Sequence, residues 1–271
     1  MIVGMSALSR SEHALGREAR RWRSQVVAWW HVLQLGAQIL VLVLSPSSYT
    51  QGRSQRVLHH MYAASAPLLP WFLVLTALIS LVIIRIVTAT ASSYGLSQYA
   101  LEVLVRTLVL ELIPLTAALF VALRHAMPGA EQLRAQLDAR QRAGRSIPGV
   151  EGLAGTLLPR ALASVHAVVL LAALAGVVAL LLTYLMVHGL SPWAWPSYTR
   201  DVGAVFTPVV SLIFGFKTLF FSLAVAVVPL AGAAEPDQNG RFVPRSDMTE
   251  FARLFSVLLL VEIAALVGNY Y

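Results

Sequence analysis

Cysteine is absent from this 271-residue chain, which excludes disulfides, thiol nucleophiles and thiolate metal sites. Lysine occurs once, at Lys217, and charged residues of both signs make up only 12%. That is about half the charge a soluble domain carries. The seven histidines form no ligand set, since His59 and His60 are neighbours on a connecting segment and the others are scattered singly. There is no His-Glu-x-x-His helix and no Gly-x-Ser-x-Gly elbow. The nearest approach to a phosphate loop, Gly215-Phe216-Lys217-Thr218, lacks the Gly-Lys adjacency and lies inside an apolar run, so it cannot cradle ATP. No cofactor or metal is expected in the chain itself, and any nucleotide chemistry belongs to another subunit.

What is present is apolar: 58% of residues are hydrophobic and the mean hydropathy is +0.72. A bilayer core about 30 Å thick requires roughly 20 apolar residues per helical crossing. Runs at residues 65–88, 99–123, 162–187 and 203–230 meet that length, and 251–270 is just long enough. The expected fold is an all-α integral membrane protein, one domain over 1–271, with five transmembrane helices in 65–271. The net charge of +7 raises nucleic acid as a partner, but 19 of the 20 basic residues are arginine, clustered beside apolar runs. Topology signals explain that placement better, and no nucleic-acid partner is expected.

The connections differ in basic content, which allows the positive-inside rule to set orientation. Residues 89–98 contain no Lys or Arg, whereas 124–160 carries Arg124, Arg134, Arg140, Arg142, Arg145 and Arg160. Residues 189–202 hold only Arg200, beside Asp201, with Trp193 and Trp195 in a Pro-rich frame suited to the outer headgroup level. Arg241, Arg245 and Arg253 return the next connection to the cytoplasm. This alternation puts the N-terminus in the cytoplasm and the C-terminus outside.

The run at 28–44 is ambiguous by length alone, and it is expected to be retained rather than cleaved. A crossing there would put Arg10, Arg17, Arg20, Arg21 and Arg23 outside, against the charge rule. His31, Gln34 and Gln38 also share one helix face. Residues 1–27 are therefore expected to be a cytoplasmic leader, and 28–64 an interfacial or re-entrant helix with its connector. Residues 130–144 form a polar helix ended by Gly144, either a solvated loop helix or a docking helix for a cytoplasmic protein.

Ionisable groups in a bilayer core cost about 2.5 to 3.5 kcal/mol each on insertion scales, so they tend to be paired and functional. Glu111, Lys217 and Glu262 fall near the middle of three different crossings. They are candidates for a buried network, either a static lock between helices or a relay that exchanges partners. Arg85, Glu102 and Arg106 form a second set nearer the outer ends, suited to lipid headgroups or to snorkelling.

The stretch Glu111-Leu112-Ile113-Pro114-Leu115-Thr116-Ala117-Ala118-Leu119 resembles the Glu-Leu-Gly-Pro-x-x-Thr-Ala-Leu signature of MlaE-type permeases, which serve ABC lipid transporters working with MCE-domain proteins. Gln136-Leu137-Asp138-Ala139 with Gly144, Pro159-Arg160, Lys217-Thr218 with Gly232, and Glu262 extend the likeness from about residue 36 to the end. Departures are Leu110 in place of an arginine, Ile113 in place of a glycine, Ala135 in place of a glutamate, and a missing Asp-Pro after the cytoplasmic helix.

The resemblance implies a homodimeric permease of the bacterial inner membrane, with a periplasmic C-terminus, that moves phospholipid. It implies an ABC ATPase docked through Gln136, Leu137, Asp138, Ala139 and Arg140, with ATP used by that partner. An MCE-domain protein would sit on the outer face. Glu111, Lys217, Glu262, Arg106 and Arg85 would line the lipid cavity or the intramembrane polar network. Two other classes remain open: a proton-coupled secondary transporter and a non-transporting membrane scaffold.

Overall fold

The computed structural model describes residues 51–146, 150–236, 240–242 and 247–270, together with residues 30, 34, 36–38 and 41. The expected leader at 1–27 and most of the 28–44 run lie outside the described residues. Among the described residues the chain is helical throughout, without strands. Seven helices carry the argument: α1 (Gln51–Ser65), α2 (Leu69–Ser93), α3 (Ser97–Arg142), α4 (Val150–His188), α5 (Trp195–Val205), α6 (Pro208–Ala234) and α7 (Asp247–Tyr270). Five of these, α2, α3, α4, α6 and α7, are long and apolar enough to cross a membrane.

Helix α4 is the centre of the bundle, with α1, α2, α3 and α6 packed on it, while α7 rests mainly on α6. Its buried face is made of small residues, Ala163, Ala167, Ala172, Ala175 and Ala179, and faces a similar stripe of Ala117, Ala118 and Ala122 on α3. In lipid, where apolar surface has no reason to flee its solvent, close backbone approach between small residues supplies much of the association. Larger side chains fill the remaining space, chiefly Phe72, Ile84, Leu108, Leu171 and Phe221. The outward faces of α2 and α6 carry Trp71, Val74, Leu78, Leu212, Phe216 and Phe220, exposed side chains suited to acyl chains.

Three boundaries differ from the sequence expectation. The 203–230 crossing begins instead at Pro208, because Thr207 is extended, its hydroxyl accepts the Val210 N–H at 3.3 Å, and Pro208 occupies the first turn. Residues before it form the separate helix α5. The polar helix at 130–144 is not separate: it is the Met127–Arg142 arm of α3, joined through a π-helical turn at Ala122–Ala126. Widening there accommodates Pro128, which has no N–H for the carbonyl of Arg124. Gly144 does end the arm, at φ +65°, with Arg145 N–H bonded to Arg140 O and Gly144 N–H to Gln141 O, a Schellman motif. Finally, the connecting segment that holds His59 and His60 is itself helical, as α1, and lies against α4.

Helices α3 and α4 have 46 and 39 residues, about 69 and 58 Å at 1.5 Å per residue, well beyond a bilayer core. Their surplus builds a base at the arginine-rich end. There Ala130, Leu133 and Leu137 of the arm pack with Leu157 and Ala161 of α4 and with Val227, Leu230 and Ala231 of α6. Gly36 also reaches this level: a Cβ added there would sit 3.3 Å from Val227 Cγ1.

Candidate functional site

Glu111 of α3, Lys217 of α6 and Glu262 of α7 converge on one point. The Lys217 ammonium pairs with Glu111 Oε2, lies 2.8 Å from Glu262 Oε2, and donates to the Leu110 carbonyl at 3.2 Å. Two of these contacts are hydrogen bonds and the third is an ion pair, and the Phe221 ring lies 5.8 Å away. Lys217 is only 3% exposed. On α6 it stands nine residues from Pro208, about 14 Å from the N-terminal end of that helix.

The carbonyl of Leu110 is available for a sequence reason. Pro114 lies four residues on and has no N–H to return to it, and the helix is π-wound over Val105–Leu112. The proline that loosens the helix therefore also creates the third acceptor for the lysine. Charge balance leaves one negative charge over, two carboxylates against one ammonium. Glu262 Oε2 lies within ion-pair distance of the same ammonium.

The second set stays apart from this cluster. Arg106 pairs with Glu102 one turn away, Nε to Oε1 at 3.0 Å, near the outer end of α3. Arg85 is exposed on α2, beside the buried Ile84 and among lipid-facing residues. At the opposite end from the arginine-rich base, Tyr184, His188, Trp195 and Tyr198 form a ring cluster with centroids 5.1 to 6.1 Å apart. Burial pushes the Tyr198 phenol up to about 12, keeping it a neutral donor to Leu180 O at 2.7 Å. Beside it, Val177, Leu180, Leu181, Trp195 and Val202 wall an almost wholly apolar cavity of about 310 Å³.

The described residues form a helical bundle with five helices long and apolar enough to cross a membrane, and the family model of the permease MlaE matches the chain over residues 57–267. The chain belongs to the MlaE permease family. Comparison with curated proteins finds no match. Membership makes it a multi-pass inner-membrane permease of an ABC-type lipid transporter, a transmembrane subunit and not itself the ATPase.

Within the MlaE arm, the five residues expected to meet an ATPase divide by face. Gln136, Ala139 and Arg140 are exposed and Asp138 is half-exposed, its carboxylate 2.7 Å from Arg142. Leu137 is turned inward and 1% exposed. It holds the arm to the bundle and has no surface to offer a partner, because positions 130, 133, 134 and 137 share the helix stripe facing α4 and α6.

Sequence reasoning missed Arg134 as a site residue. Its guanidinium is buried under the base, where it reaches Glu250 Oε1 of α7 at 3.3 Å and the Glu235 carbonyl after α6 at 2.8 Å. Gly232 leaves room for Glu250, since a Cβ added there would come within 2.9 Å of its Oε1. The signal available was the i, i+3, i+4, i+7 stripe, on which Arg134 is the one charged member.

Proposed function

We propose that two copies of this permease enclose an outward-facing cavity, that phospholipid enters it between apolar walls, and that ATP hydrolysis by a docked ABC ATPase drives the lipid to or from an MCE-domain protein. The observation that carries the reading is the Glu111–Lys217–Glu262 cluster. A desolvated charge cluster in the outer half ties together α3, α6 and α7, the helices that must shift if a cavity there is to open and close. Exposed Leu212, Phe216, Leu219 and Phe220 on α6 supply apolar wall at the same depth. The ring cluster at Tyr184, Trp195 and Tyr198, with the fully exposed Trp193, offers an outer rim for the MCE protein. Gln136, Asp138, Ala139 and Arg140 offer the cytoplasmic docking face.

Affinity purification with mass spectrometry of bound proteins and lipids tests this directly. An ATPase, an MCE protein and phospholipid are expected together, with the permease as a dimer. A permease that purifies without lipid is a scaffold, and transport that follows the proton gradient without ATP is a secondary transporter. In the same preparation Arg140→Glu is expected to lower ATPase recovery at least tenfold while leaving the melting temperature of the permease unchanged. Full recovery of the ATPase places docking elsewhere.

Orientation is proposed from the arginine distribution, with the N-terminus cytoplasmic and the C-terminus periplasmic. The chain has no cysteine, so Gly4→Cys and Asn269→Cys each introduce a single reactive site. An impermeant thiol reagent on intact cells is expected to label only the second. Equal labelling at both positions means a sixth crossing before α1.

A further inference from the structure

On the cytoplasmic side, away from the Glu-Lys-Glu cluster, a second cavity of about 220 Å³ opens between α1, α3, α4 and α6. Its lining brings together four basic side chains from three helices, His60, Arg124, His125 and Arg160, with the amide of Gln132 beside them. No carboxylate lines it. One of the four is already committed, since Arg160 Nη1 donates to the Gly129 carbonyl, which fixes that guanidinium across the gap from α4 to the arm. Arg124 is exposed and His125 half-buried. Burial, then the charges of Arg160 and His59, hold the His60 imidazole below its ordinary value, as expected in a positive field.

Two guanidinium charges at one opening, with no carboxylate in its lining, are unfavourable unless an anion enters, and the two imidazoles add neutral N–H donors to the same opening. The level of the cavity says which anion. The apolar run of α3 ends at Leu123, immediately before Arg124, and that of α4 starts after Arg160, so the arginines stand where both crossings leave the bilayer. Ala126, Ala226 and Leu230 add apolar surface to its lining. Guanidinium groups suit phosphate oxygens through paired N–H donors, and basic pockets between helices on the cytoplasmic side suit lipid headgroups.

We propose that this cavity binds the phosphate of an anionic lipid of the inner leaflet, a site separate from the outer transport cavity and independent of the transport reading. The bound phosphate bridges α1, α3 and α4 at the root of the cytoplasmic arm.

The test is thermal melting of the full-length permease in neutral detergent with increasing phosphatidylglycerol, phosphatidylcholine or inorganic phosphate. Phosphatidylglycerol is expected to raise the melting temperature saturably and phosphatidylcholine to have no such effect. Arg124→Gln, at an exposed position that the fold does not depend on, is expected to weaken the phosphatidylglycerol response at least tenfold in half-saturating concentration. Arg160→Gln is expected to weaken it further. A response to inorganic phosphate that is lost in Arg124→Gln keeps the oxyanion site and assigns it to the free anion instead of lipid. Equal responses to the two lipids, or a phosphatidylglycerol response unchanged by Arg124→Gln, overturn the proposal.

Discussion

Lys217→Ala is expected to abolish lipid transport and to destabilise the permease by about 3 to 5 kcal/mol, the range for removing one partner from a buried ion pair. The lysine is 3% exposed and is the ion partner between Glu111 and Glu262. Its removal leaves two carboxylates facing each other in a low dielectric and deprives the Leu110 carbonyl of its donor. Adding Glu111→Gln removes the repulsion, so the double variant is expected to melt above the single one although it carries one more substitution. A double-mutant cycle on melting temperature in detergent, with transport scored in parallel, reads the coupling. Strictly additive losses mean that the groups do not interact.

The same cycle separates a lock from a moving part. If the cluster only holds α3, α6 and α7 together, transport tracks stability, and the double variant recovers both. If partners exchange during the cycle, the double variant regains its fold without regaining transport, because an amide at position 111 neither carries charge nor takes up a proton. The single negative charge left over in the cluster makes this distinction worth measuring. It is the element of the site that a second substrate charge or a proton would neutralise.

Much of this arrangement was legible in the sequence, for physical reasons that differ by element. The five long apolar helices among the described residues followed from apolar length, since lipid enforces a minimum that soluble cores do not. The convergence of Glu111, Lys217 and Glu262 followed from the expense of isolated charge in a bilayer. Boundaries were less legible because they are set by single backbone groups: the Thr207-Pro208 start of α6 is a local cap inside an unbroken apolar run. The continuity of α3 was hidden by Pro128, which ordinarily breaks a helix but here follows a π turn. Leu137 was assigned to a docking face because a resemblance names positions and not faces. Its inward direction follows from helical spacing with Ala130 and Leu133. The basic cavity was not legible at all, since His60, Arg124 and Arg160 come from three separate helices.

Arg134 carries the second large effect. The arm proposed to receive the ATPase is fixed to the ends of α6 and α7 through this guanidinium, by Glu250 Oε1 and the Glu235 carbonyl. Those are the two helices that carry Lys217 and Glu262. The coupling proposed here runs from the arm through these groups and along α6 and α7 to the Glu111–Lys217–Glu262 cluster. Arg134→Met keeps much of the packed stem but removes the charge, and is expected to lower stability by about 3 kcal/mol. Its functional effect is expected to be uncoupling: the exposed face at Gln136 and Arg140 is untouched, so the ATPase still binds and hydrolyses ATP, while lipid transfer per ATP falls at least tenfold. Arg134→Lys retains a charge without the fork that reaches two partners at once, and is expected to fall between the two. Measured on the reconstituted complex, loss of ATPase binding in Arg134→Met would show that the residue holds the docking face itself. Equal lipid transfer per ATP in all three proteins would show that force reaches the outer half by another route.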